Sequence, residues 1–276
     1  MKFWKLHGIG NDFIAIDGRF DNIDPKDYGK LAKKVCHRRF SVGADGLLIV
    51  KNSNISDIEM VYYNSDGSRA AMCGNGLRCF AKYVYDNNII KKDNFDVYTL
   101  DGVKTIKINL NDDNIESIKV NMGKGRFYTK DIPINTDKDV FINENIKILD
   151  KEFTISSMLM GVPHSVIIID NLNLEDVHKY GKEIEKSEIF PNGTNVNFVK
   201  IKDKNNISVN TWERGCGYTL GCGTGMTASA VILNYLNLVD KSVFVTSAGG
   251  TVKIDIEDFV YMTGPSVKIC EGNLEV

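Results

Sequence analysis

Met72-Cys73-Gly74-Asn75-Gly76 and Gly221-Cys222-Gly223-Thr224-Gly225 read as two versions of one device. Each sets a cysteine directly before a Gly-x-Gly turn, and each turn runs into a helical pattern. After Gly76, the residues Leu77, Phe80, Ala81, Val84 and Tyr85 recur at i, i+3, i+4, i+7 and i+8, which predicts an amphipathic helix. After Gly225, residues 226–236 are nearly all small or apolar, which predicts a helix buried on most sides.

Short β-rich runs surround both devices, at 13–17, 46–50, 58–63, 105–110 and 115–120, then at 165–169, 196–201, 207–212, 242–246, 251–256 and 259–262. Shorter helices are expected over 26–35 and 174–184. Both halves therefore run in one order: strands, a Cys-Gly-x-Gly turn, an apolar helix, more strands. That order reads as an internal duplication, with the boundary near 121–125, where Gly123 and Gly125 interrupt the strand pattern.

The 276 residues suit two medium domains. Hydrophobic residues make up 43% of the chain and charged residues 25%, as in ordinary soluble proteins. A net charge of -2 argues against a generally basic nucleic-acid binder. The start, Met1-Lys2-Phe3-Trp4-Lys5-Leu6-His7, has no signal-peptide core, and the longest apolar run, Val166-Ile167-Ile168-Ile169, is too short to span a membrane. A cytoplasmic location with six reduced cysteines is the expectation. Lys91-Lys92 and the Lys/Asp-rich stretch 130–150 read as solvated surface.

A cysteine at a helix N-terminus meets unpaired N–H groups and the positive end of the helix dipole, which favour its thiolate. Two such cysteines suit moving a proton from one face of a carbon to the other. Inverting an amino-acid α-carbon requires one base to take the α-proton and an acid to return a proton from the opposite side. Charge then spreads onto the substrate carboxylate, which the turn N–H groups of Gly74, Asn75, Gly223 and Thr224 are placed to hold. No lysine motif for a pyridoxal cofactor stands out, and no metal-ligand set does: Cys73/Cys79 and Cys216/Cys222 share a C-x5-C spacing wider than structural zinc sites use. Two plain buried cysteines are the bland alternative.

Eight stretches together resemble the diaminopimelate epimerase family, in family order. They are His7-Gly8-Ile9-Gly10-Asn11-Asp12-Phe13, Val42-Gly43-Ala44-Asp45-Gly46, Tyr63-Asn64-Ser65-Asp66-Gly67-Ser68, Cys73-Gly74-Asn75-Gly76, Pro163-His164, Gly193-Thr194-Asn195-Val196-Asn197-Phe198, Trp212-Glu213-Arg214-Gly215 and Cys222-Gly223-Thr224-Gly225. The resemblance implies an α/β (α+β) fold of two pseudo-symmetric domains, each a curved, mostly antiparallel sheet around a central helix, with the active site in the cleft between them. The domains would be 1–121 and 122–264, with a tail of about 265–276 returning to the first. It implies Cys73 and Cys222 as the two bases, with His164 and Glu213 tuning their protonation. It implies Asn11, Asn64, Asn195, Glu213 and Arg214 as contacts to the substrate's amino and carboxylate groups. It further implies a homodimer that needs no cofactor.

The chain departs from the family at several places. Val162 stands where many members carry Asn, Gly46 where some carry Gln, and Cys270 where an aromatic residue often supports a dimer. Val162 and Gly46 fall at positions that meet the distal end of the substrate, so a related racemase of another amino acid, such as histidine, is the runner-up. A dithiol redox protein is a reading from another class; it would cycle electrons with a partner, whereas an epimerase would need reductant only to stay active. His7, His37 and His178 read as structural or surface residues, and Arg38-Arg39 as a solvated or ion-paired turn.

Overall fold

A computed structural model describes residues 1–20 and 23–275. The chain forms two compact units, Met1–Asn121 with Thr263–Val276, and Met122–Met262. Val276, in the expected tail, lies outside the described residues.

The first unit contains β1 (Lys2–Gly8), β2 (Asn11–Asp17), α1 (Tyr28–Val35), β3 (Gly46–Lys51), β4 (Ile58–Asn64), β5 (Arg69–Ala70), α2 (Gly74–Asp86), β6 (Asn94–Thr99), β7 (Gly102–Asn111) and β8 (Asn114–Gly123). The second contains β9 (Glu144–Ile148), β10 (Lys151–Met160), β11 (Val162–Ile168), α3 (Leu174–Glu185), β12 (Asn195–Asp203), β13 (Asn206–Glu213), β14 (Gly217–Thr219), α4 (Gly223–Tyr235), β15 (Ser242–Ser247) and β16 (Gly250–Ile256). Strand β17 (Val260–Gly264) leads on to β18 (Val267–Asn273), which belongs to the first unit.

The duplication is visible in the strand pairing. In the first unit β1 and β2 pair antiparallel, β2 and β3 parallel across α1, β3 and β4 antiparallel, β4 and β6 parallel across α2, and β6 and β7 antiparallel. The second unit repeats each step with β10, β11, β12, β13, β15 and β16, and with α3 and α4 as the crossovers. Each unit also pairs a short strand with its fourth one, β5 on β4 and β14 on β13. β18 lies antiparallel on the outer side of β1, the place that β9 takes beside β10.

Alternation of side chains assigns the two faces. In the first unit Ile14, Ile16, Leu47 and Ile49 pack with Leu31, Ala32 and Val35 of α1. Phe13 and Leu48, from the same strands, reach Gly76 at the start of α2. Burial on both faces explains why β2 and β3 read as continuous apolar runs rather than alternating ones. In the second unit Ile155, Ile167, Val196 and Phe198 meet Val177, Tyr180 and Ile184 of α3. α4 is buried along most of its length, as its apolar run predicts, and α2 is buried beyond its expected apolar stripe, with Asn75, Arg78 and Tyr83 inside as well.

The stretch 130–150 is a correction. Phe141, Ile146 and Ile148 are buried in the α3 core, the last two because β9 alternates and turns Ile146 and Ile148 inward while Asn145 and Lys147 face out. The polar half of that alternation is what gives the segment its solvated look.

Candidate active site

Cys73 caps α2 with extended backbone angles, φ -143° and ψ 122°. Its Sγ accepts from the Gly76 N–H at 3.5 Å, and its carbonyl accepts from Leu77 N–H at 2.8 Å. The N–H groups of Gly74 and Asn75 belong to the first turn, which has no i−4 carbonyls to use. Asn11, the first residue of β2, brings its Oδ1 to 3.5 Å from Cys73 Sγ and accepts from Asn75 Nδ2 at 3.3 Å. Asn11 follows the tight Ile9-Gly10 turn between β1 and β2, where both residues have positive φ, 49° and 83°. A buried β-branched Ile9 in that region is strained, and it fixes where Asn11 begins.

Behind Asn11 lies an ion network. Asn11 Nδ2 donates to Asp45 Oδ2 at 2.7 Å. Arg38 bridges Asp45 Oδ1 at 2.6 Å and Asp12 Oδ1 at 2.7 Å, and Lys5 Nζ stands 3.2 Å from Asp12 Oδ2. Burial pushes the Asp12 carboxyl up, but Arg38 and Lys5 outweigh it and hold it below the usual carboxylate range. Arg38 is thus the ion-paired residue of its Arg-Arg pair. Asn64, at the end of β4, donates from Nδ2 to Ser68 Oγ at 3.0 Å.

In the second unit Cys222 caps α4, φ -96° and ψ 107°, with its Sγ 3.5 Å from Thr224 Oγ1. His164 pairs with Asn195 across β11 and β12, and Val196 pairs with Trp212, which sets Asn195 opposite Glu213. His164, Asn195 and Glu213 therefore form one row on one face of three adjacent strands. The equivalent row in the first unit is Phe13, Gly46 and Asn64. Asn195 donates from Nδ2 to Pro163 O at 3.0 Å and accepts Arg214 N–H at 2.9 Å, so part of its amide holds the backbone. Glu213 Oε1 accepts from Thr219 Oγ1 at 2.6 Å, and Arg214 Nη1 donates to Asn192 O at 3.0 Å. Glu185, the last residue of α3, clamps this turn by accepting from Trp212 Nε1 at 2.7 Å and Gly215 N–H at 2.9 Å.

His164 is fully buried. Asn197 Nδ2 stands 3.3 Å from its Nδ1 and also donates to Ser165 O at 3.1 Å, while Asn197 Oδ1 accepts from Thr211 Oγ1 at 3.0 Å. These partners orient the Asn197 amide, so the proton of His164 is assigned to Nε2. That buried Nε2 has no hydrogen-bond partner among the described residues. Burial, with a smaller contribution from the Arg214 charge, lowers the His164 pKa to about 3. The ring is neutral throughout the physiological range.

A depressed folded pKa gives stability that is complete above the unfolded value, about 6.5, and is lost as the pH falls toward about 3. In that window the unfolded chain holds one more proton than the folded one. Wild-type stability should therefore fall by about 1.4 kcal/mol per pH unit more steeply than that of His164→Gln. Urea unfolding at several acidic pH values checks this, and equal slopes for both proteins would refute it.

The two family departures differ in cause. A Cβ on Gly46 would stand 2.6 Å from Tyr62 Cε2 and 2.8 Å from Tyr63 O, so no larger residue fits while Tyr62 packs there. Val162 opens β11 at the position that Asn11 holds in β2 and is 36% exposed. Asn197, Asp45 and Glu185 were not singled out by sequence reasoning as site residues. The first two do lie inside matched motifs, at Asn195-Val196-Asn197 and Ala44-Asp45-Gly46, but Glu185 carries no local signal. Among the described residues no cluster of His, Cys, Asp and Glu is suited to a metal ion, and no helix is long and apolar enough to cross a membrane.

Known proteins resemble this chain over nearly its whole length. The curated diaminopimelate epimerase of Clostridium perfringens is 51% identical over 99% of this chain and 98% of its own length. That of Alkaliphilus metalliredigens is 49% identical over 99% and 96%. A solved hydroxyproline epimerase from Agrobacterium vitis superposes with a TM-score of 0.74 over 99% of this chain and 91% of its own; at 14% identity it shows a shared fold. The sequence model described as diaminopimelate epimerase matches residues 3–128 and 156–269, and with that match the chain belongs to the diaminopimelate epimerase family.

Proposed function

We propose that this protein is an isomerase that interconverts LL- and meso-diaminopimelate by a two-base mechanism on Cys73 and Cys222. One observation carries the reading. Each unit presents a cysteine as the N-cap of its central helix, at the same step of the same topology. The mechanism requires the two thiols to face opposite sides of one α-carbon.

The proton balance closes with these groups. One cysteine, as thiolate, takes the α-proton. The electron pair left on carbon spreads onto the carboxylate, where helix N-terminal N–H groups stabilise it. The other cysteine, as thiol, delivers its proton to the opposite face. After one turnover thiol and thiolate have exchanged places, and the reverse reaction restores them.

The neighbours have roles consistent with their chemistry. Asn11 and Asn75 offer amides beside Cys73, and Thr224 offers a hydroxyl beside Cys222. Asn64, Asn195, Glu213 and Arg214 are the candidates for the substrate's ammonium and carboxylate groups, Arg214 for a carboxylate and Glu213 for an ammonium. His164, neutral, has a buried Nε2–H to donate. The product suits lysine and peptidoglycan precursor synthesis, in the cytoplasm, by a homodimer.

Exchange of the α-proton in D2O tests the reading. Reduced protein is incubated with LL- and meso-diaminopimelate, lanthionine, L-histidine and L-glutamate and followed by NMR with chiral analysis. Exchange with inversion on diaminopimelate alone is expected. Inversion of histidine instead would keep the mechanism and change the substrate, a result the exposed Val162 would explain. No exchange on any member would sink the proposal and favour the redox reading.

A further inference from the structure

Asp45 lies in the loop that leads from α1 into β3, and its Oδ2 accepts from Asn11 Nδ2 at 2.7 Å. A carboxylate oxygen only accepts, so the NH2 end of the Asn11 amide must face Asp45. The carbonyl end then faces the other way, where Oδ1 accepts from Cys73 Sγ at 3.5 Å and from Asn75 Nδ2 at 3.3 Å. An amide takes its orientation from its partners, and this partner admits a single answer. Asp45 thereby decides that Asn11 offers Cys73 an acceptor rather than a donor.

Asp45 is itself well anchored. Arg38 Nη2 donates to its Oδ1 at 2.6 Å, and the Asp12 N–H donates to its Oδ2 at 3.2 Å. Its own N–H donates to Asp12 O at 2.9 Å, and its carbonyl accepts from Ser65 N–H at 3.0 Å. Those backbone bonds already tie the loop to β2, so the bond to Asn11 is not needed for that. The second unit makes the same point. Asn11 corresponds there to Val162, and Asp45 to Thr194, because His164 pairs with Asn195 as Phe13 pairs with Gly46. Val162 has no amide, and Thr194 Oγ1 lies 3.0 Å from Ser165 Oγ. The same strand step is built without the acid–amide pair, so the topology does not call for it.

We infer that Asp45 is a positioning residue that fixes the Asn11 amide with its oxygen toward Cys73. The thiol form of Cys73 is then held by an S–H···O bond, which keeps the reacting sulfur in one place between turnovers. Placement of a reacting atom is worth much in rate. Without the acid the amide is free to turn over, and its N–H groups then take the place of the acceptor beside the sulfur. This inference deepens the two-thiol reading and rests on it, but half of its test needs no substrate.

Reduced full chain is labelled with heavy nitrogen in its asparagine side chains, and NMR assigns the Asn11 amide by its loss in Asn11→Ser. In the wild type one Nδ2 proton should lie well downfield of its geminal partner and exchange slowly with water, as a charge-assisted bond requires. Asp45→Leu keeps the size and removes the acceptor, so both protons should move to the positions of a free amide. The kcat for inversion of diaminopimelate should fall about tenfold in that variant, with KM changed by less than about threefold. Asp45→Asn keeps one oxygen for Asn11 and should restore most of both signals, since the half-exposed Arg38 is able to turn to solvent. A purely structural role would leave the Asn11 protons unmoved. A wild-type Asn11 amide with no downfield proton would overturn the inference. So would an unmoved signal or an unchanged kcat in folded Asp45→Leu. Should that variant fail to fold, Asp45→Ala takes its place in both measurements. A downfield proton that Asp45→Leu abolishes, in a protein that exchanges no α-proton, would count against the epimerase reading and leave the orientation of Asn11 by Asp45 standing.

Discussion

Cys73→Ala and Cys222→Ala each abolish inversion of diaminopimelate, a loss of about 10³-fold or more, while both proteins stay folded. The size follows from the proton balance. Each variant keeps one thiol, so a proton can be removed from one face but none is delivered to the other. The fold should hold because both side chains are small and each sits at the start of its helix. Cys222 contributes a small buried side chain, and Cys73 a weak N–H···S cap on α2. Each loss should therefore stay within the range of a helix cap, about 0.5–2 kcal/mol. Chiral analysis of product together with circular dichroism reads both parts. Full activity in either variant would rule out the two-base mechanism. Serine in place of cysteine preserves size and geometry, so limited exchange without inversion is the informative signature there.

Asn197→Ala destabilises the second unit by about 2–4 kcal/mol, far more than its size suggests. From β12 its amide ties the two neighbouring strands. It donates to Ser165 O and reaches His164 Nδ1 on β11, and it accepts from Thr211 on β13. Removing it leaves several buried polar groups without partners. The start of α4 packs closely on the same side chain, since a Cβ on Gly225 would stand 2.3 Å from Asn197 Oδ1. Urea unfolding measures the loss. A change under about 0.5 kcal/mol would show that water replaces the amide and that the network is dispensable.

The two cysteines were legible because everything that defines them is local. A cap residue, two glycines and an apolar run lie within a dozen positions, and the helix dipole acts over one turn. Asn197 was legible only as part of a matched stretch. Its importance depends on strand register and on the approach of α4, neither of which leaves a local trace. Glu185 is less visible still, since a glutamate at the end of a helix looks like surface until Trp212 is seen to donate to it. β1 was missed because lysines and a histidine interrupt its apolar residues, although Phe3, Trp4 and Leu6 are buried. Gly46 looked like a missing contact in the sequence; the packing of Tyr62 gives it a positive reason.

The place of β18 sets an order of events during synthesis. Met1 and Leu274 are tied by paired backbone hydrogen bonds of 2.8 and 2.7 Å, and β18 covers the outer edge of β1. The second unit is one continuous stretch of chain and has all its strands as soon as that stretch has left the ribosome. The first unit is translated earlier yet waits, with β1 an open edge able to pair with other chains, until residues of the returning segment emerge. The half made first is therefore the half finished last, and the buried Arg78 meets Pro265 only at that final step.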